Sequence, residues 1–177
     1  INLSKFVIGY GENATVDWAG LRDVVKTAVR FLDNVIDVTP YHFPQNEKAQ
    51  KEIRRVGLGT MGLADMLIKL GIRYGSDEAI KFVDHLYQVI ADEAYLTSAE
   101  LAKEKGSFPK FDREKYLQGK FIKRLDKSTQ RKISEWGIRN CFLLTQAPTG
   151  STGSLAQVAG TGIEPVFEFE FKRTDRL

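Results

Sequence analysis

Two glycine-rich runs in this chain have the spelling of phosphate-binding turns. The first, Gly57-Leu58-Gly59-Thr60-Met61-Gly62, fits G-x-G-x-x-G. A dinucleotide turn must follow a buried strand and open a helix. Here Lys51-Glu52-Ile53-Arg54-Arg55-Val56 precedes it, too charged for a buried strand, and Leu63, Met66, Leu67 and Leu70 continue the helical spacing of Ile53 and Val56. The spacing therefore puts these glycines inside a helical pattern. Close backbone contact with a neighbouring helix or strand is the reason to expect for them. A P-loop is excluded, because Leu63-Ala64 stands where Lys-Ser/Thr must reach the phosphates. The second run, Thr145-Gln146-Ala147-Pro148-Thr149-Gly150-Ser151-Thr152-Gly153, has better context. An apolar, strand-like stretch (Ile138 to Thr145) precedes it, and Ser154 to Ala159 reads as a short helix. Free amides at a helix start, with hydroxyls from Thr149, Ser151 and Thr152, form an anion site for phosphate or carboxylate. The bland alternative is a capped strand–helix turn.

Other residues with reactive side chains offer less. Cys141 is the single cysteine, so no internal disulfide framework exists, and a small buried core thiol is the expectation. His42 lies in a Pro/aromatic loop and His85 in a helix, far apart and without metal-ligand spacing, so no metal site is expected. Asp33 and Asp37 lie one helical turn apart, on what reads as an exposed edge. Lys120, Lys123, Arg124, Lys127, Arg131 and Lys132 form the densest basic cluster, a solvated face rather than a nucleic-acid surface.

The elements that must position these groups are mostly helical. A strand is expected over 1–8 and a helix capped by Asp17 and stopped by Pro40. A second helix starts near Glu47. A third is capped by Ser76, buries Ile80, Val83, Tyr87, Ile90 and Ala94, and ends at Gly106. Ser128 to Trp136 is helical and closed by Gly137, with Trp18 and Trp136 as core anchors. Phe167, Phe169 and Phe171 alternate with charges as a strand over 163–172, and their apolar face favours self-association where it is uncovered. The layout is α/β, mostly helical with a few strands: strand 1–8, helical region 17–136, strand, loop and helix over 138–159, strand 163–172. With 177 residues, 42% apolar and 28% charged, one domain with a sizeable core is affordable. No apolar run approaches the ~20 residues of a membrane span, and no signal peptide is expected. A reducing, cytoplasmic location fits the single cysteine. Ile1 without an initiator Met, and an end directly after a strand-like run, suggest a fragment of a longer chain.

Taken together, these motifs resemble the catalytic chains of ribonucleotide reductases. Gln146-Ala-Pro-Thr-Gly-Ser-Thr-Gly153 and Gly162-Ile-Glu-Pro-Val-Phe167 are similar to that family's substrate-diphosphate loop and following strand. Ile1-Asn-Leu-Ser4, Asp33-Asn-Val-Ile-Asp37 and Arg54-Arg-Val-Gly-Leu-Gly-Thr-Met-Gly-Leu-Ala-Asp65 agree in order, the last two as helical segments. The Pro-Thr-Gly-Ser-Thr-Gly spelling resembles the adenosylcobalamin-dependent branch. The resemblance implies part of a ten-stranded α/β barrel and a parent enzyme that converts ribonucleotides to deoxyribonucleotides. It also implies adenosylcobalamin as cofactor, a thiol reductant, and the remainder of the barrel as partner. Neither nucleic acid nor membrane is implied. Ala147, Pro148, Thr149, Gly150, Ser151 and Thr152 would hold the substrate diphosphate, and Glu164 would orient the loop. The family's chemistry uses three cysteines and an Asn-x-Cys-x-Glu pattern; this chain has one cysteine and lacks the pattern, so no catalytic residue is expected in it. A stand-alone anion-binding module and a helical interaction domain are the competing readings.

Overall fold

The computed structural model describes residues 1–168 and 170. The chain divides into two compact units: Ile1, Asp17–Gly59 and Ile80–Thr145 in one, Asn2–Val16, Thr60–Ala79 and the described part of Gln146–Leu177 in the other.

The first unit is helical. Helix α1 (Trp18–Val38) starts where the Asp17 carboxylate accepts the Gly20 amide at 2.9 Å and ends at Thr39, ahead of Pro40. Helix α2 (Pro44–Ile53) begins on a proline, which suits a first turn whose amides have no partner, and stops at Arg54 in the left-handed region (φ 48°, ψ 47°). Most of the long helix α4 (Asp77–Lys105) lies here, as do α5 (Arg113–Leu117) and α6 (Lys127–Trp136). Gly137 closes α6, as its position after the last periodic residue predicts. Leu21, Val25 and Val29 of α1, Leu86, Ile90 and Leu101 of α4, and Ile133, Ile138 and Leu143 are fully buried and form the core. Of the stripe expected for α4, Ile90 and Ala94 are buried, Val83 and Tyr87 are half-buried and Ile80 is exposed; Leu86, Val89 and Tyr95 complete the buried face. Trp18 and Trp136 are only half-buried. The Trp136 ring carries the Lys103 and Lys132 ammonium groups at 4.6 and 4.1 Å, so it is a surface cation–π site rather than a core anchor.

The second unit holds helix α3 (Leu63–Leu70), a two-stranded antiparallel ribbon of β1 (Val7–Ile8) and β2 (Thr15–Val16), and helix α7 (Ser151–Leu155). Leu3, Leu63, Met66 and Leu67 make its core. Ser76 Oγ accepts the Ala79 amide at 3.1 Å at the start of α4, as expected.

Several expectations are corrected. Residues 1–8 are not one strand: Leu3–Phe6 is a 3-10 helix, because Asn2 Oδ1 accepts both the amide and the hydroxyl of Ser4 and so turns the chain locally. The Gly57–Gly62 run is not helical. It is non-helical between α2 and α3, with parallel bridges from Leu58 to Leu144 and from Met61 to Asn2, and ends at Gly62 in the left-handed region. A Cβ on Gly57 would lie 2.9 Å from Thr145 Cγ2, and one on Gly59 3.1 Å from the Thr145 carbonyl. These glycines serve close approach to a neighbouring segment, the role expected of them in a different secondary structure. The 138–145 segment is irregular, with bends at Arg139 and Cys141, and is joined to 56–58 by a single bridge rather than a ladder. The short helix starts at Ser151, inside the glycine run, not at Ser154. Residues 163–168 are turn and irregular, with Pro165 removing one backbone donor. Phe169, Phe171 and Lys172 lie outside the described residues. Asp33 is buried and not on an exposed edge, whereas Asp37 is exposed as expected, though paired with Arg54.

Candidate anion-binding site

The second unit builds the loop from its edges inward. Gln146 anchors its start: Nε2 donates to the Thr60 carbonyl at 2.8 Å, and Thr60 Oγ1 donates to Gln146 Oε1 at 3.0 Å. The last residues of GLGTMG therefore support the other glycine run instead of binding a phosphate themselves. Within the loop the Thr149 amide donates to the Ala147 carbonyl, Thr152 to Thr149, and Gly153 to Gly150, all at 3.0–3.1 Å. Gly150 occupies φ 55°, ψ −128°, a backbone region open to glycine, and is the N-cap of α7. The amides of Gly150 and Ser151 make no hydrogen bond among the described residues. Ser151 and Thr152 are exposed, with Thr149 and Gly150 half-buried beneath them. Two open amides beside two open hydroxyls, at the first turn of a helix, are equipped to receive an oxyanion.

Residues outside the glycine run hold this loop. Asn2 Nδ2 donates to the Ala156 carbonyl at 3.2 Å. The Ala159 amide donates to both carboxylate oxygens of Asp65, at 3.2 and 3.1 Å. Tyr74 donates its hydroxyl proton to the Ile163 carbonyl at 2.7 Å. Glu164 accepts from Thr161 Oγ1 at 2.7 Å, closing a turn beside the loop. Glu164 carried a sequence signal through the Pro that follows it, Asn2 and Asp65 lay inside segments of the family resemblance without a role assigned to them, and Tyr74 carried none.

The first unit contains a buried ionic cluster that spacing also missed. Asp33 is 0% exposed and Arg54 4%. Arg54 donates Nε and Nη2 to Asp33 Oδ1 at 2.9 and 2.8 Å, and Nη1 and Nη2 to Asp37 at 2.8 and 2.9 Å. Asn140 Nδ2 donates to Asp33 Oδ1 at 2.9 Å and to the Arg54 carbonyl at 3.1 Å, while Ser98 Oγ donates to Asn140 Oδ1. Arg139 and Lys105 pair with Asp33 Oδ2 at 3.4 and 3.6 Å. The hydrogen bond from Arg54 holds the Asp37 carboxyl below its usual range. For Arg54 itself, burial pushes the pKa down, but hydrogen bonds to Asp37 and Asp33 outweigh it and the pKa is raised. Both carboxylates are paired with cations inside the cluster, the arrangement of a structural ion network.

Cys141 is a free, buried thiol whose pKa is pushed up by burial, against a hydrogen bond with Arg55. Tyr116 donates to the Cys141 carbonyl at 3.1 Å, and burial pushes Tyr95 up to about 12 and raises Tyr116 further. The two imidazoles rest on aromatic rings, His42 on Phe43 at 4.5 Å and His85 on Trp18 at 5.0 Å. No helix among the described residues is long and apolar enough to cross a membrane.

Residues 1–176 match the family described as ribonucleotide reductase, barrel domain, and the chain belongs to that family. It is 38% identical over 175 residues to a vitamin B12-dependent ribonucleoside-diphosphate reductase of Mycobacterium tuberculosis, covering 98% of this chain and 22% of the relative. A protein of the same name from Thermoplasma acidophilum is 39% identical over 178 residues, covering 98% of this chain and 20% of the relative. The ribonucleoside-diphosphate reductase subunit alpha of Treponema pallidum is 34% identical over 157 residues, covering 85% and 18%. The chain thus spans about a fifth of the length of these relatives.

Proposed function

We propose that this chain is the part of a ribonucleotide reductase catalytic barrel that holds the substrate's phosphates. Ala147, Pro148, Thr149, Gly150, Ser151 and Thr152 form the holding loop, with amides and hydroxyls as donors. The observation that carries the reading is the pair of amides at Gly150 and Ser151, without a partner among the described residues, next to the exposed hydroxyls of Ser151 and Thr152, in a chain of this family. The whole protein reduces ribonucleotides by thiyl-radical chemistry with a dithiol reductant and the rest of the barrel. The loop's contribution is orientation: it fixes the phosphate end so that the ribose is presented to cysteines elsewhere in the protein. Positioning of this kind is worth large factors in rate without any bond being made at the loop.

Adenosylcobalamin is the radical-generating cofactor of the whole protein in this reading, supported by the names of the Mycobacterium and Thermoplasma relatives. The described residues offer it no ligand set. No group of three His, Cys, Asp or Glu side chains that could hold a metal ion occurs among the described residues. No step is therefore assigned to this segment through that cofactor, and Cys141 is read as a buried core thiol with no part in the chemistry.

The test uses the full-length protein. Ser151→Ala together with Thr152→Ala is expected to raise KM for the ribonucleotide markedly; an unchanged KM would refute the assignment. The isolated 177-residue chain, given adenosylcobalamin, dithiol and nucleotide, is expected to show no turnover. Calorimetry with a nucleoside diphosphate separates this reading from an interaction domain in which the loop is only a turn.

A further inference from the structure

Thr149 is bonded differently from the two hydroxyl residues that follow it. Its Oγ1 accepts the Gly162 amide at 2.8 Å, and Gly162 is buried. Gly162 sits at φ 60°, with room for no side chain: a Cβ there would lie 2.9 Å from the Ala147 carbonyl oxygen. Its own carbonyl accepts the Gly62 amide at 3.0 Å. The turn that carries it is closed on itself by the Glu164 amide on the Thr161 carbonyl (3.1 Å) and by Thr161 Oγ1 on the Glu164 carboxylate (2.7 Å). Gly162 is thus pressed against the first half of the glycine loop and tied to its middle by one side-chain oxygen.

We infer that Thr149 is a positioning residue: its hydroxyl latches the 161–164 turn onto the loop and sets the spacing of the Gly150 and Ser151 amides, while Ser151 and Thr152 supply the hydroxyls that meet the ligand. This rests on the phosphate-holding role proposed above. The chemistry separates two substitutions. Valine keeps the shape of threonine but cannot accept a hydrogen bond, so a buried amide loses its partner. Serine keeps the acceptor and loses only a methyl group.

The experiment measures KM and kcat for the ribonucleotide, with the thermal midpoint, in the full-length protein. Thr149→Val is expected to raise KM about tenfold, the scale of one lost buried hydrogen bond. Its kcat is expected to stay within about twofold, because the loop touches no reacting atom. Thr149→Ser is expected to restore KM to near the original value. Equal KM increases in the valine and serine variants would overturn the inference, since the methyl group and not the hydroxyl would then matter. So would a Thr149→Val protein with lowered kcat and midpoint but unchanged KM, which marks a purely structural residue. Where Thr149→Val does not fold, Thr161→Val loosens the same turn from outside the loop. A severalfold KM increase there supports the latch, and an unchanged KM overturns it. If Ser151→Ala with Thr152→Ala raises KM and Thr149→Val does not, the latch fails and the phosphate loop stands. If neither raises it, the loop assignment itself fails.

Discussion

Gln146 and Thr60 are joined through both ends of one side-chain amide, which donates to the Thr60 carbonyl and accepts from the Thr60 hydroxyl. The two residues lie 86 positions apart. This pair makes one glycine run the support of the other.

Replacing Gln146 with leucine removes both bonds at nearly the same volume. The expected cost is about 1–3 kcal/mol of stability, together with faster amide hydrogen exchange across residues 147–153. Exchange monitored by mass spectrometry reads the second effect. An unchanged exchange pattern would show that the loop keeps its shape without this anchor.

Asp33→Ala leaves the Arg54 guanidinium, 4% exposed, without its buried partner. The remaining Asp37 is 44% exposed and cannot replace it. The expected loss is about 3–5 kcal/mol, seen in urea denaturation. A loss below about 1 kcal/mol would place the pair among surface ion pairs.

The depressed pKa of Asp37 has a consequence in acid. The folded form holds this carboxylate unprotonated more strongly than the unfolded chain does. Its stabilising contribution is therefore complete above the unfolded value near 3.9 and is lost as pH falls through the lower folded value. Asp37→Asn should lower stability at pH 7, and the gap to the original protein should close below about pH 4. A gap that persists at low pH would mean that asparagine disturbs packing and not charge.

Burial of the Cys141 thiol and its raised pKa predict poor reactivity. Dithionitrobenzoate at neutral pH should label it slowly in the native chain and at once in urea. Rapid native labelling would contradict its placement in the core.

Gly62→Ala puts a methyl group 2.8 Å from Asn2 Oδ1 and 2.9 Å from Val158 Cγ1, at φ 73°. Both effects act against it, and a destabilisation of about 1–3 kcal/mol is expected from thermal unfolding. An equally stable variant would show that this approach is looser than the geometry gives.

Helices α1, α4 and α6 were legible in the sequence because their signals are local. Asp17, Ser76 and Gly137 mark ends, and the apolar spacing between them needs no distant partner. The Gly57–Gly62 run misled because its non-helical form depends on Leu144 and Asn2, whose pairing no window around the glycines contains. The same holds for Asp33: its partners Arg54 and Asn140 lie 21 and 107 positions away, so helical spacing alone placed it at the surface. The loop 147–152 was readable as a candidate because its glycines and hydroxyls are contiguous. Asp65, Asn2 and Tyr74, which hold it, are scattered and ordinary in type, and only the fold collects them.

Arg54 answers two requirements at a single position, a left-handed backbone and a fork of donors for two carboxylates. Glycine would relax the first and lysine would imitate part of the second, but no standard residue other than arginine serves both well. Exchange at this site therefore runs through coordinated change. A sequence that drifts there has to alter Asp33 or Asp37 in the same step, or reshape the end of α2 so that the left-handed turn is no longer needed.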